Sequence, residues 1–215
     1  MVKAVIFDMD GLIIDSEPLW RMAEMEVFKS IGYDFTEEMC IQTMGMRVDE
    51  VVKYWHDQLH WKEPTVNLVI DGIINKVIEK VKLHGTALPG VYQTIQLLKE
   101  KQCPIALASS SSSKIINTVL QQLSLHDSFD VVHSAETEEF GKPHPAVFLT
   151  AVKKLNVEPE NCLVLEDSKV GMEAGIRAGM QVIVIPEINT QPDWIKNAHH
   201  YYRSLSDINW KTHLS

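Results

Sequence analysis

Val5-Ile6-Phe7-Asp8-Met9-Asp10-Gly11-Leu12-Ile13-Ile14-Asp15 is the stretch from which this chain is best read. Ala4 to Phe7 is a short, unbroken apolar run, the pattern of a strand buried on both faces. It stops abruptly at two carboxylates spaced i, i+2 and then a glycine. In an α/β sheet the carboxyl end of a strand opens into the ligand crevice. Two like charges buried there are costly unless a cation or a shared proton relieves them. The plainer reading, a strand ending in a polar turn, is also open from these residues alone, since Asp and Gly are common in turns.

Downstream of Asp15 the period changes. Trp20, Ala23, Val27 and Ile31 keep one helical face, and Gly32 is a natural stop. Thr36 before Glu37 and Glu38 can cap a short helix. A break falls at Thr43-Met44-Gly45, followed by a helix over about 48–59. Pro64-Thr65 opens a long helix in which Val66, Val69, Ile70, Ile73, Ile74, Val77, Ile78 and Val81 fit the 3.6-residue period. From Leu88-Pro89-Gly90 onward helices and strands alternate. Helices are expected over 91–101, 114–123, 146–155 and 170–178, and strands over 105–108, 131–133, 163–165 and 181–185. Alternation of this kind builds βαβ units and a parallel sheet. The first strand must join that sheet, so the helical stretch is an insertion above the sheet's carboxyl edge. Its joins, near Asp15-Ser16 and Gly85 to Pro89, are the expected hinges of a moving lid. The tail beyond Pro186 is packed down by Trp194, Leu205, Ile208 and Trp210.

Bulk properties narrow the function. The chain has 215 residues, 45% apolar and 23% charged, ordinary values for a globular protein. A net charge of -9 argues against broad binding to nucleic acid or an anionic membrane. No apolar run approaches the roughly 20 residues of a membrane span, and the N-terminus lacks a secretion-signal core. Cys40, Cys103 and Cys162 make no even framework; Cys103 and Cys162 read as core thiols, and a reducing, cytoplasmic setting is expected. His199-His200 read as exposed residues rather than ligands.

Polar residues gather where the strands of a parallel sheet would end: Asp8 and Asp10, Ser109-Ser110-Ser111, and Glu166-Asp167-Ser168, with Gly141-Lys142-Pro143-His144-Pro145 between them. Carboxylates from two strand ends suit Mg²⁺ rather than Zn²⁺. A serine hydroxyl at a helix start suits a phosphate, and a lysine can neutralise both a phosphoryl group and an aspartate. Each piece has a bland alternative. The serines can be a linker, Lys142 a turn residue, Glu166-Asp167 a helix N-terminal charge pair and Arg47 a solvated charge. Their joint occurrence at consecutive strand ends favours an active site.

These residues resemble the four motifs of the haloacid dehalogenase superfamily of phosphotransferases, in order and across essentially the whole chain: Asp8-Met9-Asp10-Gly11-Leu12, Ser109 after Ile105 to Ala108, Lys142 in Gly-Lys-Pro-His-Pro, and Glu166-Asp167 before Ser168 and Gly171. The resemblance implies an α/β fold with a Rossmann-like parallel sheet core, helices on both faces, and a small all-helical cap inserted after strand 1. Residues 1–15 and 86–215 would be core and 16–85 cap. It also implies roles. Asp8 would be nucleophile and metal ligand, and Asp10 the general acid/base, its backbone carbonyl also binding metal. Asp167 would bind Mg²⁺, with Glu166 a further ligand or just behind one. Ser109, with Ser110 and Gly11, would hold the transferring phosphoryl, Lys142 would offset its charge, and Trp20, Gly45 and Arg47 would read the alcohol from the cap.

Asp-Gly-Leu-Ile-Ile-Asp-Ser-Glu-Pro-Leu-Trp is most similar to small sugar-phosphate phosphatases of the 2-deoxyglucose-6-phosphate and hexitol-phosphate kind. The expected function is therefore a Mg²⁺-dependent phosphomonoesterase for a small sugar or polyol phosphate, working as a monomer. A beta-phosphoglucomutase-type mutase shares core and cap and is the second hypothesis. Members of that type carry a histidine where Trp20 stands and a basic residue near Ser112, although Lys114 is close by. A catalytically dead binding protein is the third, disfavoured by the intact Asp8, Asp10, Ser109, Lys142 and Asp167.

Overall fold

The computed structural model describes residues 2–186 and 192–214. β1 (Ala4–Phe7) is central to a six-stranded sheet with β2 (Ile105–Ser109), β3 (Val131–Ser134), β4 (Cys162–Glu166), β5 (Gln181–Val184) and β6 (His200–Tyr201). Their order is β3-β2-β1-β4-β5-β6, and each neighbouring pair is parallel. The chain thus winds outward through β2 and β3, returns, and winds outward on the other side through β4 to β6. The winding direction reverses at β1 and β4, and ligands of open α/β sheets bind outside the strand ends at such a switch point. Asp8 follows β1 and Glu166 closes β4 at that place.

The central strands are apolar throughout because both their faces are covered. Val5 and Phe7 of β1, Ile105 and Leu107 of β2, and Leu163 and Leu165 of β4 face one buried cluster. Ala4, Ile6, Ala106, Ala108, Cys162 and Val164 alternate into the other. The alanines of β2 let α7 (Ala146–Leu155) pack closely on the second face, with Ala151 at the contact.

Between β1 and α5 (Val91–Glu100) the chain makes four helices and no named strand: α1 (Glu17–Ser30), α2 (Glu37–Gln42), α3 (Val48–Leu59) and α4 (Val66–His84). This is the helical cap expected after strand 1. Thr36 caps α2 by accepting a hydrogen bond from Met39 N–H at 3.4 Å. On α4 the innermost stripe is Val69, Ile73, Val77 and Val81, four residues apart. An aromatic cluster holds the helices together: Phe28 stacks on Phe35 at 3.8 Å, and Trp55 and Trp61 meet those rings edge-on. The two links to the core run side by side. Ile14 pairs with Ala87 in an antiparallel bridge, Asp15 N–H donates to Thr86 C=O, and Leu88 N–H donates to Ile13 C=O. Among the described residues no helix is long and apolar enough to cross a membrane.

Two core helices begin one residue earlier than the periodicity implies. α6 spans Ser113–Gln122 and α8 spans Lys169–Arg177. Ser168 caps α8 by accepting from Gly171 N–H at 3.1 Å, so the polar Lys169 is helical. The tail adds the two-residue β6, whose polar His-Tyr sequence carries no strand pattern, and a short α9 (Trp210–His213). His199 and His200 are exposed, as expected. Cys40 and Cys162 are buried, whereas Cys103 is half-buried at the rim; all three are free thiols.

Candidate active site

Asp8 is the first residue beyond β1 and extends its ladder, its N–H donating to Leu165 C=O at 3.0 Å. Asp8 is buried, 5% exposed. Lys142 Nζ donates to Asp8 Oδ1 at 2.5 Å and to Glu166 Oε1 at 2.6 Å. The same ammonium lies 4.9 Å from the centre of the Phe148 ring, which lends it a cation–π contact. Burial alone would drive its pKa down, but Asp8 and Glu166 outweigh burial and hold it charged, above the ordinary lysine value.

Glu166 is fully buried and fully engaged. Its Oε1 holds Lys142, while its Oε2 accepts from the N–H groups of Asp167 and Ser168 and from Ser168 Oγ, at 3.0–3.1 Å. A Cβ at position 171 would sit 1.8 Å from Glu166 Oε1, so glycine is required there. Glu166 therefore acts as the orienting support of Lys142 and of the Asp167 turn. Asp167 is also buried. Its carboxyl is pushed well above the usual range, chiefly by burial and then by the charges of Glu166, Glu17 and Asp8. Asp8 is pushed up to about 8 by burial, which Lys142 only partly counters.

Carboxylate oxygens of Asp8, Glu166 and Asp167 lie within 4.8 Å of one another. When ionised they bring three negative charges, against which the described ion pairs set one cation, Lys142. The excess fits a divalent cation, and hard oxygen donors fit Mg²⁺. Since Glu166 is saturated by its own partners, Asp8 and Asp167 are the side chains free to ligate directly. Asp10 is not a member of the cluster.

The Asp10 carboxylate points instead into a ring of donors. Ser16 Oγ donates to Oδ1 at 2.7 Å, Trp20 Nε1 donates to Oδ1 at 2.8 Å, and Ser111 Oγ donates to Oδ2 at 2.7 Å. Ser109 Oγ lies farther from Oδ2, at 3.5 Å, and accepts from Ser111 N–H at 3.0 Å. An indole N–H can only donate, so Oδ1 stays an acceptor, whereas the Ser111 hydroxyl can donate or accept. Oδ2 is thus the oxygen that faces a hydroxyl able to donate or accept. As a metal ligand Asp10 has only its main-chain carbonyl to offer.

The pocket enclosed by core and cap is lined by Asp8, Asp10, Ser109, Ser110, Lys142 and Asp167 below and by Trp20 and Gly45 above. Its cavity of about 50 Å³ is far smaller than the roughly 300–1,000 Å³ of a typical ligand site, so cap and core are closed on each other. Gly45, at φ +82°, lies against the core: a Cβ there would be 2.8 Å from Val170 and 3.0 Å from Ser168 Oγ. Ser110 Oγ donates to Gly45 C=O at 3.0 Å.

Two expected contacts are corrected. Arg47 does not line the pocket. Its Nη1 donates to the Ala135 and Glu138 carbonyls at 3.2 and 2.7 Å, and Asp49 takes its Nε and Nη2. Two core carbonyls and a neighbouring carboxylate satisfy the guanidinium outside the cavity. Gly11 likewise is not a phosphate donor, because its N–H is already bonded to Ile14 C=O at 3.1 Å. Its value is conformational: φ is +68°, and a Cβ would meet Asp167 Oδ2 at 2.1 Å.

Four contributors escape a reading by motif. Ser16 and Ser111 hold Asp10. Glu24 reaches the pocket from α1. Glu50 accepts from Gly141 N–H at 3.0 Å, clasping the loop that carries Lys142. The four-residue spacing of Ser16, Trp20 and Glu24, one face of a helix, is the signal that could have grouped three of the residues above the site.

Carboxylates on two central strand ends, a buried lysine bridging them and a separately held aspartate make, on a doubly wound sheet, a site suited to a cation and an anionic ligand. The model of the haloacid dehalogenase-like hydrolases matches residues 5–185, and the chain belongs to that family. Hexitol phosphatase B of Escherichia coli K12 is 42% identical over 193 residues, covering 89% of this chain and 87% of that protein. A phosphorylated carbohydrates phosphatase of Thermotoga maritima is 34% identical, covering 85% and 84%. Among solved structures, a beta-phosphoglucomutase from Clostridium difficile superposes with a TM-score of 0.87 at 25% identity, over 100% of this chain and 96% of that one. The family match and these relatives make the chain a phosphatase.

Proposed function

We propose that the protein is a Mg²⁺-dependent phosphomonoesterase for a small sugar or polyol phosphate, working through an aspartyl-phosphate on Asp8. The observation that carries this reading is the division of labour between the two aspartates. Asp8 is paired with Lys142 beside the acidic cluster, while Asp10 is held by Ser16, Trp20 and Ser111 on the other side of the same pocket. Asp8 attacks phosphorus and forms the acyl-phosphate, and the ester bond to the alcohol breaks. Asp10 delivers a proton from Oδ2 to the departing alkoxide, then takes one from the water that hydrolyses the intermediate. Lys142 offsets the charge that builds between carboxylate and phosphoryl group, and Ser109 and Ser110 line the place the phosphoryl occupies. A bound Mg²⁺, held by Asp8, Asp167 and the Asp10 carbonyl, would supply the remaining neutralisation of the phosphoryl oxygens.

The polyol class comes from the relatives, whose names specify hexitols and phosphorylated carbohydrates. In this proposal residues 16–85 move as a body on the paired links at 13–15 and 86–88, because the closed cavity is too small to admit a sugar. The single chain supplies every residue invoked, so the working unit is the monomer, and free thiols suit a cytoplasmic setting. The test is phosphate release from a panel of sugar and polyol phosphates after EDTA treatment and again with Mg²⁺ restored. Activity should vanish and return. Full activity after EDTA would overturn the metal-dependent mechanism.

A further inference from the structure

Glu24 has no part in the chemistry above, yet α1 drives it into the same pocket. It is 7% exposed, and its Oε2 is buried with no hydrogen-bond partner among the described residues. Its neighbours are the Cys40 thiol, which bonds to it, and the Arg21 guanidinium, which acts on it through charge. A buried carboxylate oxygen without a donor is costly and seldom kept without use. Ile41, Met44 and Met46 supply apolar surface alongside it. A hydroxyl brought there would supply the missing donor. Resting on the phosphatase reading, we propose that Glu24 is a specificity residue whose Oε2 accepts a hydrogen bond from a hydroxyl on the substrate's carbon chain. The favoured substrates are then monophosphates with a neutral, polyhydroxylated distal end.

The test compares kcat/KM for a polyol monophosphate with that for an unhydroxylated alkyl phosphate of the same chain length. The measurements use the full chain with Mg²⁺, for wild type, Glu24→Met and Glu24→Gln. Wild type should prefer the polyol phosphate by about 100-fold or more, because a site built to bond a hydroxyl rejects the analogue that lacks it. The preference should fall at least about tenfold in Glu24→Met and about threefold in Glu24→Gln, whose neutral amide accepts more weakly than a carboxylate. A ratio is insensitive to general damage, which lowers both rates together. If circular dichroism shows Glu24→Met unfolded, the volume-matched Glu24→Gln decides. An unchanged ratio in the folded variants overturns the inference. So does a wild type that hydrolyses both compounds equally, an outcome that leaves the phosphatase reading standing. Failure to hydrolyse any phosphomonoester defeats that reading and this inference with it.

Discussion

Asp8 and Lys142 form a buried pair in which removing either partner strands charge, but the two removals are not equivalent. Lys142→Met leaves Asp8 and Glu166 facing each other without their cation. Breaking a buried pair in this way typically costs about 3–5 kcal/mol, and urea unfolding at pH 7 should show a loss of that order. Asp8→Asn instead deletes one of three crowded carboxylates and should keep stability within about 1 kcal/mol of wild type, while turnover falls by many orders of magnitude. Residual activity within tenfold of wild type would refute the nucleophile assignment. Glu24 makes a pH prediction. Burial pushes its carboxyl up to about 7 from the ordinary 4.5, with Cys40 and Arg21 countering only in part. The folded state then holds a proton that the unfolded chain has already released, so this contribution is complete below pH 4.5 and lost as pH rises through 7. The charged form costs roughly 3 kcal/mol relative to the unfolded chain. Between pH 5 and pH 8 the stability of Glu24→Gln relative to wild type should therefore rise by up to that amount. Parallel urea curves at the two pH values check it, and a constant gap would contradict it. At this scale Asp8, Asp10 and Lys142 were legible not singly, since each has a bland explanation, but through their joint occurrence with the other polar groups of the expected strand ends. Ser16, Glu24 and the pairing of Ser111 with Asp10 were not, because hydroxyls and a lone helical glutamate become meaningful only once distant segments meet.

Helix α3 shows how an element can be placed correctly and its side chains misread. Its bounds follow the periodicity, yet Arg47 at its start turns outward to the core rather than inward to the pocket. Periodicity locates a helix and its apolar face; it does not say which carbonyls a preceding arginine will find 88–91 residues away. The outcome is a clasp. Arg47 holds the turn at Ala135–Glu138, Glu50 holds Gly141 N–H, and Ser110 holds Gly45 C=O. Two of these grips flank the loop that presents Lys142, so the proposed cap closure would act on lysine placement. The links at 13–15 and 86–88, paired in an antiparallel ribbon, would be the axis of the proposed opening. Hydrogen bonds from a charged donor contribute about 1.5–3 kcal/mol each. Arg47→Met should then shift the closure equilibrium by about tenfold or more, lowering kcat/KM correspondingly. Small-angle scattering should report a larger radius of gyration. Kinetics within twofold of wild type, with unchanged scattering, would show that the clasp does not govern closure.

At the scale of the whole molecule, the alternation of strands and helices announced a parallel sheet, but not its order. The order depends on which side of β1 each crossover lands, a tertiary choice that local periodicity does not carry. That order puts Asp8 and Glu166 at the switch point, beneath a cap attached by two adjacent strands of chain, an arrangement shared by phosphatases and mutases alike. What separates the two is how the phosphorylated enzyme is treated. A mutase must keep its aspartyl-phosphate from water while a sugar bisphosphate leaves, turns over and returns, so its pocket must welcome a second phosphate. Here Ser112 offers only a hydroxyl, and Lys114 is exposed on α6 and does not line the cavity. Trp20, standing where a mutase has a histidine, fixes Asp10 Oδ1 as an acceptor, and in the proposed mechanism leaves Oδ2 to activate water. Supplied with beta-glucose 1-phosphate and a bisphosphate activator, the enzyme should release inorganic phosphate faster than it forms glucose 6-phosphate. Both products can be followed in one time course by phosphorus NMR. Glucose 6-phosphate accumulating ahead of phosphate would mean that the closed pocket shields the intermediate after all, and the mutase assignment would replace this one.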